Sequence, residues 1–154
     1  MTFLPNVEVT KATHGDLAQV QALIRRCALL ETGVAEAIDD FRIARSEGRL
    51  VGCAGLETYG ELGLLRSVAV ESTARNAGVG TRLVDASRVA ARASQLRELF
   101  LLTTTATAAH FFERRGFVSV HRSALPAPIA QSWEFRVGCP QTALAMRCAL
   151  GGEA

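Results

Sequence analysis

The spacing of apolar and polar positions changes several times along the chain, and each change predicts an element. Val7 to Thr10 alternate weakly, as a short first strand does. Leu17, Val20, Leu23, Ile24 and Cys27 then recur at helical spacing. They follow Thr13-His14-Gly15-Asp16, which has the spacing of a capping box, so a first helix is predicted to run to about Arg26. A second short helix is predicted over Val34 to Ile38. Phe41 to Ala44 and Arg49 to Leu56 read as strands around a Ser46-Glu47-Gly48 turn, and Leu62 to Val70 as a longer strand after Tyr59-Gly60-Glu61. Gly80 to Ser94 is helical, with Leu83, Val84, Ser87, Ala90 and Ala91 on one side. Leu99 to Leu102 is a continuous apolar run, as in a strand covered on both faces. Ala106 to Arg115 is a further helix, with Gly116 at the place of a left-handed cap. Strands over Phe117 to Val120 and Ala143 to Met146 complete the chain, with a short helical stretch near Trp133 between them. The order predicts an α/β fold, a mixed sheet with helices on its faces.

A length of 154 residues suits one domain, expected over 1–154, and no apolar run approaches the length of a membrane span. The N-terminus lacks the basic start and apolar stretch of a signal peptide, so the expected location is cytoplasmic. The net charge of +2 argues against large nucleic-acid contact. Basic residues are nearly all Arg, with Lys11 the only Lys, and Arg grips carboxylates and phosphates with a planar fork. Cys27, Cys53, Cys139 and Cys148 form no C-x-x-C pair and share no ligand spacing with His14, His110 and His121, so no metal is expected.

The sharpest local feature is Val68-Ala69-Val70 followed by Arg75-Asn76-Ala77-Gly78-Val79-Gly80-Thr81. A strand ends, a glycine loop follows, and a helix begins. Two glycines let the backbone turn tightly with its N–H groups uncovered. Added to the positive end of a helix, those groups make an anion site fit for a pyrophosphate. The loop is not a P-loop, since G-x-x-x-x-G-K-[ST] does not occur. It is not a dinucleotide fingerprint either, because Leu83 stands where the third Gly belongs.

These residues resemble the GNAT superfamily of acyl-CoA-dependent N-acetyltransferases over almost the whole chain. Arg75 to Gly80 matches that family's Q/R-x-x-G-x-G/A motif. Ala109-His110-Phe111-Phe112-Glu113-Arg114-Arg115-Gly116-Phe117 is similar to its second signature, a helix ending in Gly-Phe. Leu64 to Val70, Glu98 to Thr105 and Cys139-Pro140-Gln141-Thr142-Ala143 resemble the arsenic-resistance N-acetyltransferase subgroup. Glu98 to Phe117 is also similar to the acetyltransferase domain of acetylglutamate synthases. The resemblance implies a mostly antiparallel sheet of six or seven strands, helices on both faces, and a splayed central strand pair. It implies acetyl-CoA as co-substrate, contacted by Val68, Ala69, Val70, Arg75, Asn76, Ala77, Gly78, Val79, Gly80, Thr81, Thr105 and Phe112. The chain departs from the family at Phe112, where many members carry a Tyr acid. It departs from acetylglutamate synthases at Leu64, where they tend to have Glu, and near Pro140-Gln141, where they have a basic residue. Those departures argue against glutamate as acceptor.

The resemblance implies direct attack of an amine on the thioester within a ternary complex, with a backbone N–H near Val68 and Val70 steadying the oxyanion. The acceptor is expected to be a small, amino-acid-like amine. Glu57 is the first candidate for the base, directly or through water, against a solvated turn carboxylate; Glu61 and His110 are weaker candidates. Arg66, in the middle of an apolar strand, needs an anionic partner. Either an acceptor carboxylate or an internal salt bridge with Glu57 supplies one. A non-catalytic acyl-CoA-binding module and a protein or aminoacyl-tRNA N-acetyltransferase remain alternatives, and a homodimer stays open.

Overall fold

A computed structural model describes residues 5–138 and 143–151. The described residues form a seven-stranded sheet in the order β1-β2-β3-β4-β5-β7-β6. The strands are β1 (Val7–Lys11), β2 (Phe41–Ser46), β3 (Arg49–Tyr59), β4 (Leu62–Val70), β5 (Glu98–Thr103), β6 (Val118–Val120) and β7 (Leu144–Ala149). The helices are α1 (Leu17–Arg26), α2 (Val79–Ala93), α3 (Ala106–Glu113) and the short α4 (Ala127–Ala130). The parallel pair is β4 with β5, in a ladder from Leu62↔Glu98 to Leu64↔Phe100. The chain divides into two compact units, Met1–Glu57 with Leu65–Ala90, and Thr58–Leu64 with Ala91–Ala154.

In the first unit β1 and β2 run antiparallel from Val7↔Ser46 to Lys11↔Arg42, and β2 pairs β3 from Phe41↔Gly55 to Ser46↔Arg49. Glu47 and Gly48 close that hairpin with φ of 51° and 81°, the left-handed pair that suits strand twist. The core gathers Val20, Leu23 and Ile24 of α1 against Phe41, Ile43, Cys53 and Ala69. Two strand glycines permit its close contacts. A Cβ on Gly55 would stand 2.6 Å from the Phe41 ring. One on Gly52 would stand 2.8 Å from Leu83 and 2.9 Å from Val79, both on α2. The capping residues tie α1 to the sheet. The Thr13 N–H donates to the Asp16 carboxylate at 2.9 Å, and Arg45 of β2 donates to the same carboxylate.

The predicted helix over Val34 to Ile38 is not formed. Turns and a 3₁₀ stretch, Ile38–Asp40, stand there. Gly33 is left-handed at φ 82°, and the Ala37 N–H is shared between the carbonyls of Gly33 and Val34, so no regular ladder propagates.

In the second unit β5 and β7 run antiparallel from Glu98↔Ala149 to Thr103↔Leu144, and β6 flanks β7. Leu64, Phe100, Ile129, Phe135 and Ala145 make its core. Gly116, at φ 94°, ends α3 as predicted. The Phe117 N–H donates to the Phe112 carbonyl and the Gly116 N–H to that of Glu113, the two bonds of a Schellman cap. The Phe112 and Phe117 rings meet edge to face across it, centroids 5.6 Å apart. Of the segment Cys139 to Ala143, only Ala143 lies within the described residues.

Candidate functional site

The first unit holds the glycine loop. β4 delivers the chain to Val70, a 3₁₀ turn spans Ser72–Ala74, and Arg75 to Gly78 leads into α2. Asn76 and Gly78 are both left-handed, at φ 66° and 82°, with Ala77 between them. Alternating backbone hand of this kind turns successive N–H groups into one concavity. The Arg82 N–H donates to the Gly78 carbonyl at 3.1 Å, so the amides of Val79 and Gly80 precede the helical ladder and lie at its positive end. A Cβ on Gly78 would meet nothing within 4 Å, so the loop is open on the side the missing side chain leaves. Val79 is buried and anchors the helix start, while Asn76 and Gly78 are exposed. Thr81 and Ala77 are half-buried. Uncovered amides at a helix N-terminus are the chemistry that suits an anion.

Arg75 is exposed, but its guanidinium turns back onto the first unit. Its Nε donates to the Val70 carbonyl at 3.1 Å, and its other end lies 3.8 Å from the Cys27 sulfur. The same carbonyl takes the Cys27 thiol at 3.7 Å. The side chain thus fixes the strand end from which the loop departs.

Further back along β4, Ser67 is left-handed at φ 57° inside a strand. Plain alternation breaks there, so Arg66 and Val68 do not share a face in the simple manner expected from a spacing of two. The Ser67 carbonyl accepts from the Cys53 thiol at 3.3 Å. Ala69 is buried, and Val68 and Val70 are half-buried.

Arg66 is 8% exposed. Its Nη1 donates to Glu57 Oε2 at 2.8 Å, its Nε to the Ser67 hydroxyl at 3.0 Å, and its Nη2 to the Leu30 carbonyl at 3.3 Å. Of the two partners the sequence left open, the geometry provides the internal one. Glu57 is therefore no solvated turn carboxylate, since its side chain is 19% exposed and held by Arg66. Glu61 pairs instead with Arg97 in the second unit, and His110 lies beside Glu113 on an exposed face of α3.

Burial pushes the Cys53 thiol up to about 12. A thiol so shifted stays protonated and is a poor nucleophile. Thr105 and Phe112 belong to the second unit. Thr105 caps α3, its hydroxyl accepting from the Ala108 N–H at 3.1 Å. Phe112 is buried between Phe111 and Phe117, edge to face with both. Among the described residues no group of three or more His, Cys, Asp or Glu could hold a metal ion, and no helix is long and apolar enough to cross a membrane.

Sequence reading missed Ser67 and the segment after α1. No residue type marks Ser67 as left-handed, and Leu30 meets Arg66 through its carbonyl, which every residue has.

Comparison with known proteins completes this picture. The family model described as acetyltransferase (GNAT) domain matches residues 37–119. The amino-acid acetyltransferase of Mycobacterium tuberculosis is 30% identical over 131 residues, covering 79% of this chain and 74% of that protein. The amino-acid acetyltransferase of Neisseria meningitidis is 32% identical over 131 residues, and the match spans 29% of its length. The N-acetylglutamate synthase of Neisseria gonorrhoeae, solved in complex with coenzyme A and N-acetyl-glutamate, superposes with a TM-score of 0.82 at 26% identity. It covers 95% of this chain and 35% of that one.

Proposed function

The chain belongs to the GNAT acetyltransferase family, and from that premise we propose that it moves an acetyl group from acetyl-CoA to the amine of a small, amino-acid-like acceptor. The observation that carries this reading is the glycine loop at the head of α2, where left-handed Asn76 and Gly78 leave the backbone open beside a helix N-terminus. Residues Arg75 to Thr81 receive the pyrophosphate of the donor. Relatives in Mycobacterium tuberculosis and Neisseria meningitidis are named amino-acid acetyltransferases, and a structural neighbour carries coenzyme A with N-acetyl-glutamate.

In this mechanism a backbone N–H at Val68 or Val70 steadies the charge that develops on the thioester oxygen. The Ser67 twist turns the backbone that follows it and so sets where that donor points. Glu57, directly or through one water, takes the proton of the amine, and Arg66 fixes the carboxylate in place for that role. Attack is direct, because Cys53 is buried and protonated. Phe112 offers no hydroxyl to the leaving thiolate, and a thiol with a pKa of about 8.5 leaves near neutral pH without one. We take the whole chain, 1–154, as one acetyltransferase domain working in the cytoplasm, where free Cys27, Cys53 and Cys148 stay reduced.

The test is paired. Titration calorimetry with acetyl-CoA should give saturable binding, and a panel of amines and amino acids should release free thiol in step with acetylated product. Binding without thiol release from any acceptor would leave an acyl-CoA-binding module. Absence of binding would end the reading altogether.

A further inference from the structure

The middle of β4 changes character at one residue. Leu65 and Arg66 are buried, and then Ser67 and Val68 are both half-exposed, where strict alternation would hide one of them. Ser67 breaks the alternation, because it is left-handed at φ 57° inside the strand. A residue with a Cβ is strained in that region, whereas glycine is not. Strain of this kind, held by a side chain that glycine would do without, points to a task for the side chain.

Two contacts fix what Ser67 presents. Its carbonyl accepts from the Cys53 thiol of β3, which is fully buried, at 3.3 Å. In a trans peptide the C=O and the N–H point in opposite directions, so the Val68 N–H of the same peptide points away from Cys53. The Ser67 hydroxyl oxygen accepts from Arg66 Nε at 3.0 Å. The guanidinium cannot turn freely, since Glu57 holds it at 2.8 Å and the Leu30 carbonyl at 3.3 Å. With a cationic donor fixed on its oxygen, the hydroxyl sends its own hydrogen elsewhere, and among the described residues it donates to none. The hydroxyl oxygen and the Val68 nitrogen are joined by a short covalent path and lie within about 5 Å of each other whatever the torsions. Two donors so spaced can meet on one oxygen atom.

Resting on the acetyl-transfer reading above, we infer that the Ser67 hydroxyl is a second hydrogen-bond donor to the thioester oxygen, beside the Val68 N–H. The amine nitrogen bonds to the thioester carbon, and the carbonyl oxygen gains the charge that both donors hold. The C–S bond then breaks, its electron pair leaves with sulfur as thiolate, and the amine proton goes to Glu57. Ser67 keeps its proton throughout. Ser67 is thus a catalytic residue, and Arg66 is a positioning residue that turns the hydroxyl into a donor.

The experiment reads the bound donor directly. Infrared difference spectra of acetyl-CoA, isotopically labelled at the thioester carbonyl, compare the parent with Ser67→Gly, Ser67→Ala and Ser67→Thr. In the parent the carbonyl stretch should move to lower wavenumber on binding. Ser67→Gly and Ser67→Ala should lose part of that shift, and Ser67→Thr should keep it. On the best acceptor of an amine panel, the same two variants should turn over roughly a hundredfold more slowly, with acetyl-CoA affinity in calorimetry little changed. Backbone strain ranks the variants differently. Ser67→Gly should melt above Ser67→Ala, since both lose the hydroxyl and only glycine fits a φ of 57°, and Ser67→Thr, branched at Cβ, should melt below the parent. If Ser67→Thr does not fold, the carbonyl shifts of Ser67→Gly and Ser67→Ala decide alone. Turnover that follows the melting order, or a carbonyl shift that Ser67→Gly and Ser67→Ala leave whole, overturns the inference. A failure of acetyl-CoA to bind the parent overturns the acetyl-transfer reading instead.

Discussion

Arg66 and Glu57 stand nine residues apart in the chain and 2.8 Å apart in space, on adjacent strands of one unit. The guanidinium is 6% exposed and the carboxylate side chain 19%. Breaking such a pair leaves a charge largely out of water, which costs more than the pair itself contributes. Arg66→Leu should therefore destabilise the protein by about 3 kcal/mol, the lower end of the range for buried pairs because Glu57 keeps some solvent. Adding Glu57→Gln should restore part of that loss. Urea denaturation of both single variants and the double variant measures it, and strictly additive losses would show that the two side chains do not support each other.

The glycine loop makes a second test. Gly78 is left-handed and faces open space, so Gly78→Glu places a carboxylate beside the proposed phosphate site. Acetyl-CoA affinity should fall by at least about tenfold, equivalent to about 1.4 kcal/mol. Gly78→Ala separates the two effects, because it adds backbone strain of about 1 kcal/mol without charge. Calorimetry on folded protein should show Gly78→Glu much the weaker binder. Equal affinities would remove the loop from the donor site.

A third outcome concerns acid. Asp16 is held below the ordinary carboxylate value of 3.8, first by the Thr13 backbone N–H and then by Arg45, against the opposing effect of burial. A depressed folded-state value means that the tie stabilises the protein above 3.8 and is lost as pH falls through the lower, folded value. Asp16→Asn should thus be less stable than the parent at pH 7, and the gap should close in the acid range below 3.8. Chemical denaturation at a series of pH values reads the gap directly. A gap that persists unchanged into strong acid would refute the linkage.

Cysteine chemistry gives a fourth. Cys53 is fully buried with its thiol pushed up to about 12, while Cys27 is half-exposed. Brief treatment of native protein with N-ethylmaleimide at pH 8, mapped by mass spectrometry, should label Cys27 and spare Cys53. Cys53→Ala should keep acetyl transfer. Loss of turnover in a folded Cys53→Ala protein would reopen a covalent route.

Much of this was legible in the sequence because the elements rest on local periodicity. The run Leu62 to Val70 and the helix from Gly80 carried their pattern in side chains that bury or do not, and β4 and α2 follow them within a residue. Gly116 was readable for the same reason, since a residue without a Cβ fits the left-handed cap. Arg66 was readable only as a question. Its sequence position demanded an anion, but whether the anion is Glu57 depends on how β3 and β4 fold beside each other, which no local pattern encodes. Ser67 hid because a spacing argument assumes unbroken alternation. The expected helix at Val34 failed where apolar spacing was right but Gly33 and shared backbone bonds favoured turns.

Gly52 places the loop by what it lacks. It lies in β3, outside the glycine loop, yet its missing methyl group is the space that Leu83 and Val79 of α2 occupy. The head of α2 is also the floor of the proposed phosphate site, so the two are one mechanical part. A single added carbon on β3 would meet the side chains of Leu83 and Val79 and the Ala69 carbonyl, and so bear on the helix whose first amides are those of Val79 and Gly80. On the proposed reading, this strand position bears on donor affinity although no ligand need ever touch it. A substitution there would register in binding assays as a cofactor defect whose origin is a change of distance rather than a change of contact.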